Sequence, residues 1–195
     1  NEGIRQSILW RENELNIGDY LMIVKNNYFW IEEEEENSQK NEKIDFIANG
    51  DIVEIVAIHK IEEIYNHRYA DVTVKFVDYN DYEIDVKLFL DTLKLDAASF
   101  DGEMNKELFY TILQDYANIR GKKKQYDAVK ENPYFNALQV KFAYAVTCHK
   151  AQGGQWKTVF IDHGYLTNEM INREYLRWLY TAITRATEKL YLVNF

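Results

Sequence analysis

The 195-residue chain is 47% hydrophobic, with 4 Trp, 15 Tyr and 10 Phe, which is material for one core plus a small satellite and too much for a disordered chain. One Cys and 4 His exclude an internal disulfide and a closed Cys/His zinc site, a usage that fits a reducing, cytoplasmic setting, and no apolar run reaches the roughly 18 residues of a membrane span. A formal charge of −9 would argue against phosphate contacts made by Lys and Arg, but much of the excess sits in Glu32 to Glu36, a run that reads as a solvated loop and not as a metal site.

Asn1 to Trp10 has neither an initiating Met nor the basic-then-apolar layout of a signal peptide, so the sequence reads as a piece of a longer chain. From Asp19 to Lys25 a short apolar stretch bounded by Gly18 and the pair Asn26-Asn27 predicts a strand. After Asn49-Gly50 the period becomes two. Val53, Ile55 and Ala57, then Val72, Val74 and Phe76, then Tyr82, Ile84 and Val86 alternate with mostly polar neighbours, and Asp78 to Asp81 is a hairpin signal. Residues 45–96 therefore predict a small antiparallel β-barrel.

The period then changes to that of a helix: Leu108, Phe109, Ile112, Leu113 and Tyr116 share one face, predicting an amphipathic helix from Glu103 to Ile119 that packs rather than binds. Gly121 ends it. Lys122, Lys123 and Lys124 follow, a cluster able to touch a phosphate backbone but more often a solvated helix start. Pro133 closes this helical segment.

Val140 to Val146 reads as a buried strand that delivers the turn Thr147-Cys148-His149-Lys150-Ala151-Gln152-Gly153-Gly154, and small polar residues just past a strand are where open α/β sheets meet phosphates. Val159 to Asp162 and Leu190 to Val193 predict two further strands. Between them, at about 100° per residue, Leu176, Leu179, Ile183 and Ala186 take one side of a helix and Arg173, Arg177, Thr181, Thr184 and Arg185 the other. Alone, such arginines are a solvated face. Cys148 beside His149 is not a thiol–imidazole pair, because sequence neighbours rarely face each other, and Trp156, Trp178 and Tyr180 read as packing rather than a base-stacking platform.

In order, Thr147 to Gly154 resembles motif V of superfamily 1 helicases, with Ala151 at the usual Ser position and Gln155 where many relatives carry Glu. Leu179-Tyr180-Thr181-Ala182-Ile183-Thr184-Arg185-Ala186 resembles motif VI. Asn1, Ile4 and Arg5 look like the end of motif IV, and Gly18 to Met22, Asn26-Asn27 and Asn49-Gly50-Asp51 look like the approach to an inserted SH3-like domain. The chain thus resembles the C-terminal region of a RecD/Dda-like superfamily 1 DNA helicase, the UvrD-like helicase C-terminal domain.

That resemblance implies an α/β fold: a partial RecA-like (P-loop NTPase-type) domain in two parts, 1–44 and 138–195, an SH3-like antiparallel β-barrel at 45–96 and a helical insert at 97–137. It implies ATP and Mg²⁺ in the intact protein, none held by this piece alone, and single-stranded DNA and the missing N-terminal RecA-like domain as partners, with no membrane. Arg185 would be the arginine finger. Thr147, His149 and Lys150 would face DNA; Gln152, Gly153, Gln155 and Tyr180 would lie by the nucleotide. No Gly-x-x-x-x-Gly-Lys-Ser/Thr loop occurs, so this piece has no phosphate cradle of its own. The expected activity is 5′-to-3′ translocation in DNA repair or recombination, inactive in this piece alone. The competing readings are an SH3-like module that binds nucleic acid or protein without a motor role, and part of an ATP-dependent exonuclease.

Overall fold

The computed structural model describes residues 1–31, 45–79, 82–95, 97, 99–152 and 154–195. The acidic run Glu32 to Glu36, Asn80 and Asp81 of the hairpin signal, and Gly153 lie outside the described residues. The chain forms two compact units, Asn1–Tyr144 and Ala145–Phe195.

The first unit is built on a closed five-stranded barrel: β1 (Tyr20–Ile23), β2 (Ile52–Ile64), β3 (His67–Phe76), β4 (Glu83–Phe89) and β5 (Leu138–Phe142), neighbours in that order. The alternation read from the sequence sets its inside. Val53, Ile55, Val72, Val74 and Phe76 are fully buried, and Val53 faces Phe76 while Ile55 faces Val74 across the β2–β3 pair, as a period of two requires. Tyr65 and Asn66 turn the hairpin at φ 55° and 61°, the left-handed pair that matches strand twist in a two-residue loop. Register shifts between Ile55 and Ala57 and between Ile58 and Lys60 bend the 13-residue β2 around the barrel.

The barrel is wider in sequence than 45–96. β1 and β5 come from segments expected to belong to the RecA-like part, and they close the barrel by pairing antiparallel, Leu21 with Phe142 and Ile23 with Val140. Nor is it wholly antiparallel: β4 and β5 run parallel, Leu88 beside Leu138. Parallel neighbours need a long crossover, and the helical stretch is that crossover. It contains α1 (Asp91–Lys94), α2 (Gly102–Leu113), a 3₁₀ turn at Gln114–Tyr116 and α3 (Lys122–Lys130). The predicted helix ends at Leu113, with Leu108 and Ile112 buried against Val129, and the Asp101 carboxylate caps it from the amides of Glu103 and Met104.

Two polar clusters fasten this unit. Lys87, almost buried, reaches Asp71 at 2.5 Å and Glu62 at 3.2 Å and lies 4.3 Å above the Tyr134 ring, so a cation on the barrel wall holds the end of the crossover. Hydrogen bonds from Lys60, Tyr134 and Lys87 hold the Glu62 carboxyl down to about 2. The second cluster centres on Asp19, fully buried, which accepts from Arg5 at 3.0 Å, Arg11 at 2.9 Å, Tyr144 at 2.6 Å and the Asn16 amide at 2.7 Å. Arg5, in a π-helical turn at Ile4–Ile8, also lies 4.5 Å from the Phe142 ring centroid. The start of the chain, β1 and the exit of β5 thus meet at one carboxylate.

The second unit is a strand–helix–strand: β6 (Trp156–Asp162), α4 (Arg173–Ile183) and β7 (Ala186–Val193), with β6 and β7 parallel, Val159 beside Leu190 and Ile161 beside Leu192. Both strands fall where the sequence put them. The expected strand at Val140–Val146 does not feed this sheet; it ends at Phe142 inside the barrel. An apolar run carries no record of which sheet it will join.

Candidate functional site

Every sequence-predicted site residue lies in the second unit. The segment from Thr147 to Gln152 folds as consecutive turns, with the amide of Ala151 bonded to the Thr147 carbonyl at 3.1 Å and that of Gln152 to the His149 carbonyl at 3.3 Å, and the Gly154 amide bonds to the Ala151 carbonyl at 3.3 Å. Ala151 is buried, as a small side chain at the hub of such turns must be, while Thr147, His149, Lys150 and Gln152 are exposed on the outside. The turn follows the end of β5 by several residues rather than springing directly from a strand.

Helix α4 starts at a designed stop: the Asn172 side chain accepts from the amides of Glu174 and Tyr175 at 2.9 and 3.1 Å, satisfying two donors that have no partner inside the helix. It ends at Ile183, two residues before Arg185. Thr184 caps it, with its hydroxyl against the Tyr180 and Thr181 carbonyls at 3.0 Å, and Arg185 stands just beyond, before β7. The expected apolar face is not a core face here: Leu176 is 59% and Ile183 39% exposed, and Ala182 is the buried residue of the helix. A unit of this size has too little chain to cover both sides of a parallel strand pair.

Arg185 is half-buried and is the joint of the unit. Its Nε donates to the Thr181 carbonyl, Nη1 to the Gly154 carbonyl and Nη2 to the Thr184 hydroxyl, each at 3.0 Å. The carbonyl of Arg185 in turn accepts from the Trp156 amide at 2.8 Å. A cation at the carboxyl end of a helix is favoured by the exposed carbonyls there, and here the same group reaches across to the turn. Three of its five N–H donors are committed, which leaves two.

A cavity of about 460 Å³ opens between the turn and α4, and its lining includes His149, Gln152, Arg177, Trp178 and Thr181. It thus brings three residues of the motif V-like turn, Cys148, His149 and Gln152, together with the cationic face of the motif VI-like helix. Thr147, Lys150, Gln155, Tyr180 and Arg185 are outside that lining. Tyr180 is 71% exposed. Arg177 enters the cavity wall paired with Glu174 at 2.9 Å, and Tyr175 stacks on Trp178 with centroids 5.7 Å apart; Glu174 and Tyr175 were not singled out from the sequence, since only the cavity gives them a role. Cys148 donates to the Trp178 carbonyl at 3.4 Å, and burial pushes its thiol up although the Arg185 charge opposes this, so the thiol stays protonated and structural.

An arginine, a hydroxyl and a carboxamide beside a stacked aromatic pair can bind an anion carried on a flat or sugar-bearing group. Among the described residues there is no group of three or more His, Cys, Asp or Glu able to hold a metal ion.

Residues 142–193 match the family model of the UvrD-like helicase C-terminal domain, so this part of the chain is similar to a helicase C-terminal region. An uncharacterized protein of Methanocaldococcus jannaschii is 36% identical over 64 residues, which is 33% of this chain and 5% of that relative; the chain spans a small fraction of the relative's length. No helix among the described residues is long and apolar enough to cross a membrane.

Proposed function

We propose that this chain is the C-terminal part of the motor of an ATP-dependent DNA helicase of the RecD/Dda-like branch, moving 5′-to-3′ along single-stranded DNA in repair or recombination. The observation that carries the reading is the tie made by Arg185, which joins Thr181 and Thr184 of the motif VI-like segment to Gly154 of the motif V-like turn. A motor needs such a joint. A change felt by the guanidinium is passed through one hydrogen bond to the turn whose outer face carries Thr147, His149 and Lys150. The β6–α4–β7 unit supports a RecA-like assignment, because parallel strands joined by a helix are its repeating element, and the closed barrel supports an SH3-like one.

In this reading Thr147, His149 and Lys150 meet the DNA backbone and are indifferent to base sequence. Gln152, Gly153, Gln155 and Tyr180 lie by the nucleotide. ATP with Mg²⁺ would supply the transferable phosphoryl group, held by a partner RecA-like domain that carries the phosphate loop. The two uncommitted N–H donors of Arg185 turn toward the transferring oxygens, where a planar, permanently charged fork is the best match.

The full-length protein tests this. Arg185→Ala and Arg185→Lys should each cut DNA-stimulated ATP turnover by about 10³-fold or more, the scale of arginine fingers, while single-strand binding persists; Arg177→Ala should cost much less. Near-normal turnover in Arg185→Ala would remove the finger assignment. Absence of DNA-stimulated turnover in the unmutated protein would remove the helicase, and duplexes with 5′ or 3′ tails report the polarity. The 195-residue piece alone should release no phosphate above background.

One observation favours a second reading, a binding module without a motor role: the barrel is closed and has its own core. Tight binding of DNA or protein by the full-length chain with no ATP turnover would establish it.

A further inference from the structure

The helical crossover bears a basic, aromatic face that neither the motor reading nor the barrel requires. On α3, Val129 is buried, and Gln125 and Ala128 are half-buried beside it. At about 100° per residue, Lys123, Lys130 and Tyr126 lie on the flank away from Gln125 and Ala128, and Lys122, at the helix start, lies only about 20° from Val129; the four fall within one arc of about 100° and all are exposed. Tyr126 is 40% exposed and is braced edge-on by Phe109, centroids 5.3 Å apart. Lysines in the first turn stand at the end of the helix where cations are disfavoured, so helix stability does not explain them. Lys25, Lys122, Lys123 and Lys130 are exposed and form no ion pair among the described residues.

Lys130 also lines a cavity of about 450 Å³ whose wall includes Lys25, Asn26, Tyr28, Asn105 and Glu131. Tyr28 is the notable side chain. It is 68% exposed, yet one face is stacked on Phe46, with centroids 5.0 Å apart and 25° between planes. The ring is therefore supported from behind and open in front, the arrangement of a platform on which a base can stack. Glu131 is an opposing charge in the wall, set against two lysines there and two more along the helix.

We infer that the exposed face of α3 and the cavity at its end form a second binding track for single-stranded nucleic acid, in which Lys122, Lys123, Lys130 and Lys25 meet phosphates and Tyr126 and Tyr28 stack bases. Lys123 and Lys130 are about 10 Å apart along the helix axis, a spacing that follows an extended backbone with an aromatic between the charges. A duplex offers no unstacked base to either ring. A protein partner would call for a contiguous apolar centre, whereas here the aromatics are separated by lysines. The track belongs to the first unit, and it stands whether or not the second unit works as a motor.

The test uses the 195-residue chain and fluorescein-labelled oligo-dT and oligo-U of equal length, followed by anisotropy across a salt titration. Lys25→Glu with Lys130→Glu should weaken binding at least tenfold and flatten the log–log salt slope by about 1.4, at roughly 0.7 per lost single-strand phosphate contact. Tyr28→Ala should weaken it about tenfold with the slope unchanged. Lys157→Glu with Lys189→Glu applies the same charge change in the second unit and should cost less than twofold. Binding of either oligonucleotide with this pattern supports the track, and the preferred one tells DNA from RNA. No binding by the unmutated chain, an affinity within twofold in Lys25→Glu/Lys130→Glu, or an equal loss in the control pair overturns it. Lys25→Gln with Lys130→Gln repeats the measurement if the charge reversals lower the melting temperature.

Discussion

Asp19 is the residue on which the first unit depends most. Burial by itself would raise its carboxyl, but hydrogen bonds from Arg5, Tyr144, the Asn16 amide and Arg11 outweigh that and hold it below its usual 3.8. Removing the charge strands two arginines, one of them almost wholly buried, and breaking a buried pair from one side costs about 3–5 kcal/mol. Asp19→Asn should therefore lower stability by about that amount, measured by urea unfolding at pH 7. Because the folded value is depressed, the ion pair's stabilisation is complete above the usual carboxylate range and is lost as pH falls through the lower folded value. The gap between wild type and Asp19→Asn should accordingly narrow in acid, and a gap that stays constant from pH 7 to pH 2.5 would place the stabilisation elsewhere.

Among elements, the parallel β4–β5 junction is the thin seam of the barrel, with Leu88 beside Leu138 and Phe89 beside Gln139 as its register pairs. Thr92 completes it: its buried hydroxyl lies 2.6 Å from the Phe89 carbonyl and accepts from the Val140 amide at 3.0 Å. Thr92→Val keeps the shape and leaves that amide unsatisfied, so it should cost about 1–3 kcal/mol, seen as a lower urea midpoint for the barrel. In the second unit, Asn172→Ala should cost about 1 kcal/mol through the lost cap while Asn172→Asp retains it, and helicity by circular dichroism distinguishes them. The strands that alternate were legible because one face had to be buried: Val53, Ile55, Val72, Val74 and Phe76 announce themselves. β1 and β5 were legible as strands but not as barrel strands, since their partners are set by pairing across the whole unit rather than by any local pattern. Helix α4 was legible in period and not in environment. Likewise His149, Gln152, Arg177 and Thr181 were each visible in sequence, whereas the wall made by Glu174 and Tyr175, and the bond from Arg185 to Gly154, required the fold.

The molecule as a whole divides its apolar material unevenly. All three core clusters lie within the first unit, and the second buries Ala151, Ile161 and Ala182 among its described hydrophobic residues. Residues 1–144 alone should therefore unfold cooperatively on heating, and residues 145–195 alone should give a poorly dispersed amide spectrum; a cooperative melt from the shorter piece would refute this division. The closure of the barrel by β5 also has a kinetic side. Leu21 must wait for Phe142, so a chain emerging from the ribosome can form the β1–β2–β3–β4 sheet early but leaves its β1 and β4 edges open until the whole crossover has been made. Open edges are templates for pairing with other chains, and distant contacts fold slowly. The slow step of folding should thus be the docking of β5 between β1 and β4, and the interval before it is when the nascent chain is most exposed to aggregation and most in need of a chaperone.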